Sequence, residues 1–160
     1  MSQAFGGMYK VMLLLHLVSV VVAFAAGVVH PLMDARSRDA DPGTRRSLLG
    51  WMAQNGRMVH FPALVLVGVF GLGMVFSSKV GDSDENVFGF DQAWVSISLL
   101  VWIAMCGIVS GMLMPAERKL AAGEGDTGAL EKKVAIGGQV TTVLFLVMLY
   151  LMIWKPGLDL

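Results

Sequence analysis

YKVMLLLHLVSVVVAFAAGVVHPLM, residues 9–33, decides the fold. Between Lys10 and Asp34 there is no charged side chain. At 1.5 Å of rise per residue the run is long enough to cross a hydrocarbon core of ~30 Å. Two histidines, His16 and His30, sit inside it. An imidazole turned to lipid is costly, so an intramembrane histidine is a candidate functional group that faces protein. Their separation of fourteen residues rotates one from the other by ~1,400°, within about 40° of the same helix face. Ser19, Ala23 and Gly27 lie near that stripe, which is expected to look into a bundle.

Composition carries the same message across the chain. Of 160 residues, 56% are hydrophobic and 15% charged, with mean hydropathy +0.68. A soluble domain carries roughly 25% charged residues, so lipid is the expected solvent. The formal net charge of zero argues against nucleic acid, because phosphate binding needs a clear Lys/Arg excess. The single cysteine, Cys106, excludes an internal disulfide and a cysteine-held cluster, and reads as a small core residue.

Three more apolar runs follow, and each is bounded by polar connections. The expected spans are 10–33, 58–78, 92–114 and 134–154, an all-α four-helix membrane bundle in a single domain covering 1–160. Lys10, the apolar stretch and Ala23-Phe24-Ala25 imitate a secretory signal. However, the run continues about eight residues past that tripeptide into an arginine-rich segment, so a retained helix is expected. Asp41-Pro42-Gly43-Thr44 is a turn signal, with Thr44 the expected cap of a short helix through Trp51. Pro62 is tolerated in the first turn of the second span. Pro115 is expected to end the third span, and Lys155-Pro156-Gly157 the fourth.

Charge orients the bundle. Nine of the twelve Lys and Arg residues fall in the first and third connections. These are Arg36, Arg38, Arg45, Arg46 and Arg57, then Arg118, Lys119, Lys132 and Lys133. The positive-inside rule puts both connections in the cytoplasm of a bacterial inner membrane, with both termini and the short acidic loop 79–91 outside. Tyr9, Trp51, Trp94, Tyr150 and Trp154 fall near the predicted interfaces, as belt residues do.

Depth sorts the ligand candidates. His16 lies ~9 Å below the outer boundary at 1.5 Å per residue. His60 and His30 lie within a turn of the inner boundary, ~15–18 Å from His16 in depth. Two axial nitrogens on one iron are only about 4 Å apart, so His16 and His60 do not share a metal, whereas His30 and His60 could at the rim. At the depth of His16 stand Met74 and Met148, and a His/Met pair is a known axial set for haem. Most of the twelve methionines are expected to be packing filler. Arg57, Arg45 and Arg46 could hold propionates or lipid phosphates. Gln139, Thr141, Thr142, Ser96, Ser98 and Ser110 are positioned for interhelical hydrogen bonds. Gly107 and Gly111 form a G-x-x-x-G pair suited to close contact with a partner helix or a second copy. No nucleophile–base pair, phosphate loop or intramembrane carboxylate is present.

Several short patterns together resemble the HemJ-type protoporphyrinogen oxidases. They are Tyr9-x6-His16 with a following Gly27, the arginine-rich first loop, Pro62 at the entry to the second span, and Trp94 leading the third. Arg118-Lys119 with Ala121-Ala122-Gly123 and the terminal Lys155-Pro156 complete the set. Copper-resistance D-type membrane proteins share parts of the plan, and the likeness is strongest to predicted bacterial integral membrane proteins within this group. It spans roughly residues 9–157 and implies a b-type haem at His16. The chain departs from the pattern where Val95-Ser96-Ile97-Ser98, rather than polar or basic residues, follow Trp94. Three readings therefore stand: a haem-binding protein of electron transfer or tetrapyrrole redox chemistry, a non-catalytic accessory or scaffold subunit, and a copper-handling permease.

Overall fold

The structure, a computed structural model, describes residues 5–37, 39–81 and 85–157, and of Asp34 the backbone only. Arg38, Asp82, Asp84 and Leu160, to which the charge and topology arguments extend, lie outside the described residues. The described residues form an all-α bundle of six α-helices: α1 Gly7–Ser37, α2 Pro42–Asn55, α3 Phe61–Phe76, α4 Ala93–Ile108, α5 Met114–Ala122 and α6 Thr127–Trp154. Two π-helical turns, Gly56–His60 and Val109–Leu113, join α2 to α3 and α4 to α5. Four continuous helices result, spanning Gly7–Ser37, Pro42–Phe76, Ala93–Ala122 and Thr127–Trp154, each long and apolar enough to cross a membrane. Their outward faces carry Leu14, Val18, Val21, Leu100, Leu146 and Ile153, all exposed. A largely apolar exterior of this kind is a lipid-facing surface, and the protein is a multi-pass membrane protein.

The helices outrun the apolar segments at the basic end. The first connection was expected to hold only a short capped helix; α2 instead runs to Asn55 and passes without a break into the second span. Its cap is Asp41 rather than Thr44, with the Asp41 carboxylate accepting from the Gly43 and Thr44 N–H groups at 3.0 and 3.1 Å. Pro115 likewise does not end the third helix. The residue before each proline donates five residues back, Phe61 N–H to Gly56 O and Met114 N–H to Val109 O. Proline has no N–H and its ring crowds the carbonyl of the preceding turn. Widening that turn to π geometry relieves the crowding and lets the helix continue. Gly123, at φ +71°, finally stops α5, with the Glu124 N–H closing on Lys119 O at 2.9 Å.

Adjacent packing runs α1 on α3, α3 on α4 and α4 on α6, and the ring closes through Phe24 of α1 stacked on Phe145 of α6 at 3.8 Å. At the basic end α2 packs on α5, and Arg45 reaches Glu131 of α6. At the other end residues 78–81 and 85–91 fold over the bundle. Isolated antiparallel bridges pair Phe5 with Val80 and Lys79 with Asn86, and Phe88 is buried beneath Tyr9 and Trp94. The expected aromatic belt therefore needs correction. Trp51, Tyr150 and Trp154 are exposed, whereas Tyr9 and Trp94 are core residues around Phe88, with the Lys155 ammonium 4.6 Å from the Phe88 ring centroid.

Candidate functional site

His16 projects from the first third of α1 towards α3 and is buried. Its Nδ1 lies 2.8 Å from the Val67 carbonyl oxygen. A carbonyl only accepts, so Nδ1 carries the proton, and in the neutral ring Nε2 keeps its lone pair. A Cβ added at Gly71 would meet His16 Nδ1 and Cε1 at 3.4 Å, an ordinary contact, so the ring lies directly against this turn of α3. Along the same stripe Ser19 is buried and bonds back to Leu15 O at 2.8 Å. Gly27 is exposed with nothing near a Cβ, so the stripe faces the bundle over His16 and Ser19 and has turned outward by Gly27.

His16 lines an apolar cleft of about 70 Å³ together with Met74, Met148, Trp94, Ser98 and Trp102. The two methionines that the depth argument sets beside His16 thus share one cleft with it, one from each of α3 and α6. Trp102 seats against Gly68, where a Cβ would lie 2.1 Å from the indole, and donates its Nε1–H to Leu64 O at 2.8 Å. Among the described span hydroxyls Ser98 stands apart, and Ser96 Oγ donates to Phe90 O at 2.6 Å. Ser19, Ser77, Ser110, Thr141 and Thr142 each donate to the carbonyl four residues back. Ser98 Oγ is buried without a protein partner, a state that costs about 1–3 kcal/mol unless some other group satisfies it. Trp102 and Phe88 were not singled out in the sequence; Gly68 opposite a tryptophan was the only available signal for the first.

The other two histidines meet at the basic end. His30 and His60 pack edge to face, with ring centroids 5.6 Å apart. His60 Nδ1 donates to Val22 O at 2.6 Å, and its Nε2 accepts from Asn55 Nδ2 at 3.4 Å. Both of its nitrogens are therefore engaged, and His60 serves to tie the first π turn to α1. His30 Nδ1 stands 3.7 Å from Glu117 Oε1, and its Nε2 is buried without a hydrogen-bond partner. Arg57, exposed on the same π turn, is about 15 Å from Val67 along the helix axis. Among the described residues no group of three or more His, Cys, Asp or Glu side chains is arranged to hold a metal ion.

The donor types beside His16, an imidazole nitrogen and two thioethers, are ones a haem iron takes, but the cleft as it stands is too small for a macrocycle. A deprotonated Nε2 whose opposite N–H is fixed by a backbone carbonyl is the arrangement that orients a metal-ligating histidine, and thioethers complete a His/Met set. Cofactor pockets run to roughly 300–1,000 Å³, against about 70 Å³ here, so a macrocycle requires the large lining side chains to swing outward. Comparison with protein-family models, with curated proteins and with solved structures returns no match to this chain.

Proposed function

We propose that this multi-pass membrane protein binds a b-type haem at His16 and serves electron transfer or tetrapyrrole redox chemistry, as its resemblance to the HemJ-type proteins implies. One observation carries the reading: the buried His16 ring, its Nδ1–H held by Val67 O at 2.8 Å, lines the same cleft as Met74 and Met148. His16 Nε2 and the Met148 or Met74 thioether would hold the iron. Bound there, the group supplies a one-electron ferric/ferrous couple. The chain's own part is to fix the imidazole's tautomer through Val67 and to surround the site with apolar side chains that exclude water. The test is a tetrapyrrole absorption spectrum in protein purified under mild conditions.

The proposed setting is a bacterial cytoplasmic membrane, with the two basic connections inside and both termini outside. A second reading, an accessory subunit or homo-oligomer, draws on the Gly107/Gly111 face. A Cβ at either glycine would meet nothing within 4 Å, so these small residues are not used for packing within the chain and leave room for an incoming helix. Gly111→Leu should then reduce assembly measured by light scattering in detergent while leaving the helical content unchanged.

A further inference from the structure

At the basic end of the bundle a groove of about 240 Å³ opens between the second π turn and α6, lined by Met112, Ala129, Lys132, Lys133 and Ile136. Its walls are apolar, the two lysines contributing their methylene stems. The π turn sets its shape: Met112 and Leu113 bear on Gly137, where a Cβ would lie 2.5 Å from Met112 Cε, and this holds the two helices together beneath the groove. The groove also straddles the membrane boundary, because the fourth apolar run begins at Val134, directly after Lys133.

Two carboxylates at this end are already engaged. Glu131, next to Lys132 in sequence, pairs with Arg45, and Glu117 on α5 lies against His30. Both lysines are exposed, and among the described residues neither makes a salt bridge to a carboxylate. Two exposed lysines whose stems line an apolar trough, next to the start of the fourth apolar run, complement one chemistry: a phosphate ester carrying an acyl chain. Basic pockets between spanning helices take anionic headgroups in this way.

We propose that this groove is a binding site for an anionic phospholipid. The Lys132 and Lys133 ammonium groups hold the headgroup phosphate, and Met112 and Ile136 hold the start of an acyl chain. The site is independent of His16 and of any haem there. Each lysine is expected to strengthen retention of an anionic over a zwitterionic lipid about fivefold, or roughly twenty- to thirtyfold for the pair.

The experiment is native mass spectrometry of the full chain released from micelles containing equal phosphatidylglycerol and phosphatidylcholine. The wild-type protein should retain phosphatidylglycerol in that ratio. The K132Q/K133Q protein should retain both lipids about equally, while K10Q, which removes a lysine at the opposite end, should keep the preference. Ile136→Asn should weaken retention of both lipids by opening the trough to water. A wild-type protein without preference, or a K132Q/K133Q protein that keeps it, overturns the site. Inorganic phosphate displacing the lipid at millimolar concentration would also overturn it, since the acyl chain would then contribute nothing.

Discussion

The His16 imidazole on α1 donates its Nδ1 proton to the Val67 carbonyl on α3 across 2.8 Å. This bond joins two helices through a backbone group that side-chain mutation cannot remove. Its neighbour is Gly71, where an added Cβ would stand 3.4 Å from the ring. Gly71→Ala should therefore be tolerated within about 1 kcal/mol, the contact being offset by alanine's better helix propensity. Gly71→Leu should displace the ring and cost about 1–3 kcal/mol by overpacking. Thermal unfolding in detergent, followed by circular dichroism, reads both. Equal tolerance would mean that the ring is not held against this turn.

Trp102 and Gly68 form a tighter contact, one that depends on the glycine. A Cβ at Gly68 would overlap the indole at 2.1 Å, so even Gly68→Ala should cost about 1–3 kcal/mol. Gly111→Leu should leave the stability of the single chain nearly unchanged, since nothing lies within 4 Å of its Cβ position. The same unfolding assay ranks them, and a Gly111→Leu protein less stable than Gly68→Ala would contradict the packing described.

The start of α2 should respond to acid. Hydrogen bonds from the Thr44 side chain, and then from the Thr44 and Gly43 N–H groups, hold the exposed Asp41 carboxyl below its ordinary value. A depressed carboxylate pKa contributes stability that is present above the unfolded-state value and is lost as pH falls through the folded one. Amide exchange at Gly43 and Thr44 should accelerate below the usual carboxylate range, and Asp41→Asn, which keeps an acceptor oxygen but not the charge, should flatten that dependence. An acid response undiminished in Asp41→Asn would assign it elsewhere.

Topology offers an independent check. A reporter inserted near Gly43 or at Gly125 should remain in the cytoplasm, and one fused after Leu160 should be exported, because basic connections resist translocation. A cytoplasmic C-terminal reporter would reverse the proposed orientation.

The four spans were legible because an uncharged run of twenty or more residues has few solutions other than a crossing helix. The ends were less so. Arg57, Lys132 and Lys133 flank the second and fourth apolar runs, and a helix need not stop there: α2, α5 and the start of α6 continue as partly polar helices packed on one another. Pro62 and Pro115 read as punctuation, yet the π turns before them absorb the missing N–H, a backbone accommodation that residue type does not report. Of the candidate site, helix rise was enough to set His16, Met74 and Met148 at one depth, and the cleft contains all three. Rise says nothing about rotation between helices, so the burial of Trp94, the wedge of Trp102 into Gly68 and the unpartnered Ser98 emerge only from packing.

Haem at His16 is the central claim, and the absorption spectrum of the purified protein tests it most directly. Wild-type protein isolated under mild conditions should show a Soret band, with b-type α and β bands on reduction. His16→Ala should lose most of that signal while retaining expression and helicity. His60→Ala should keep it, because the His60 ring is committed to Val22 and Asn55 at the other end of the bundle. Met148→Leu or Met74→Leu should shift the bands or the potential only where that sulfur is the second axial ligand. A wild-type protein without tetrapyrrole absorption, or a His16→Ala protein with an unchanged spectrum, would contradict the account.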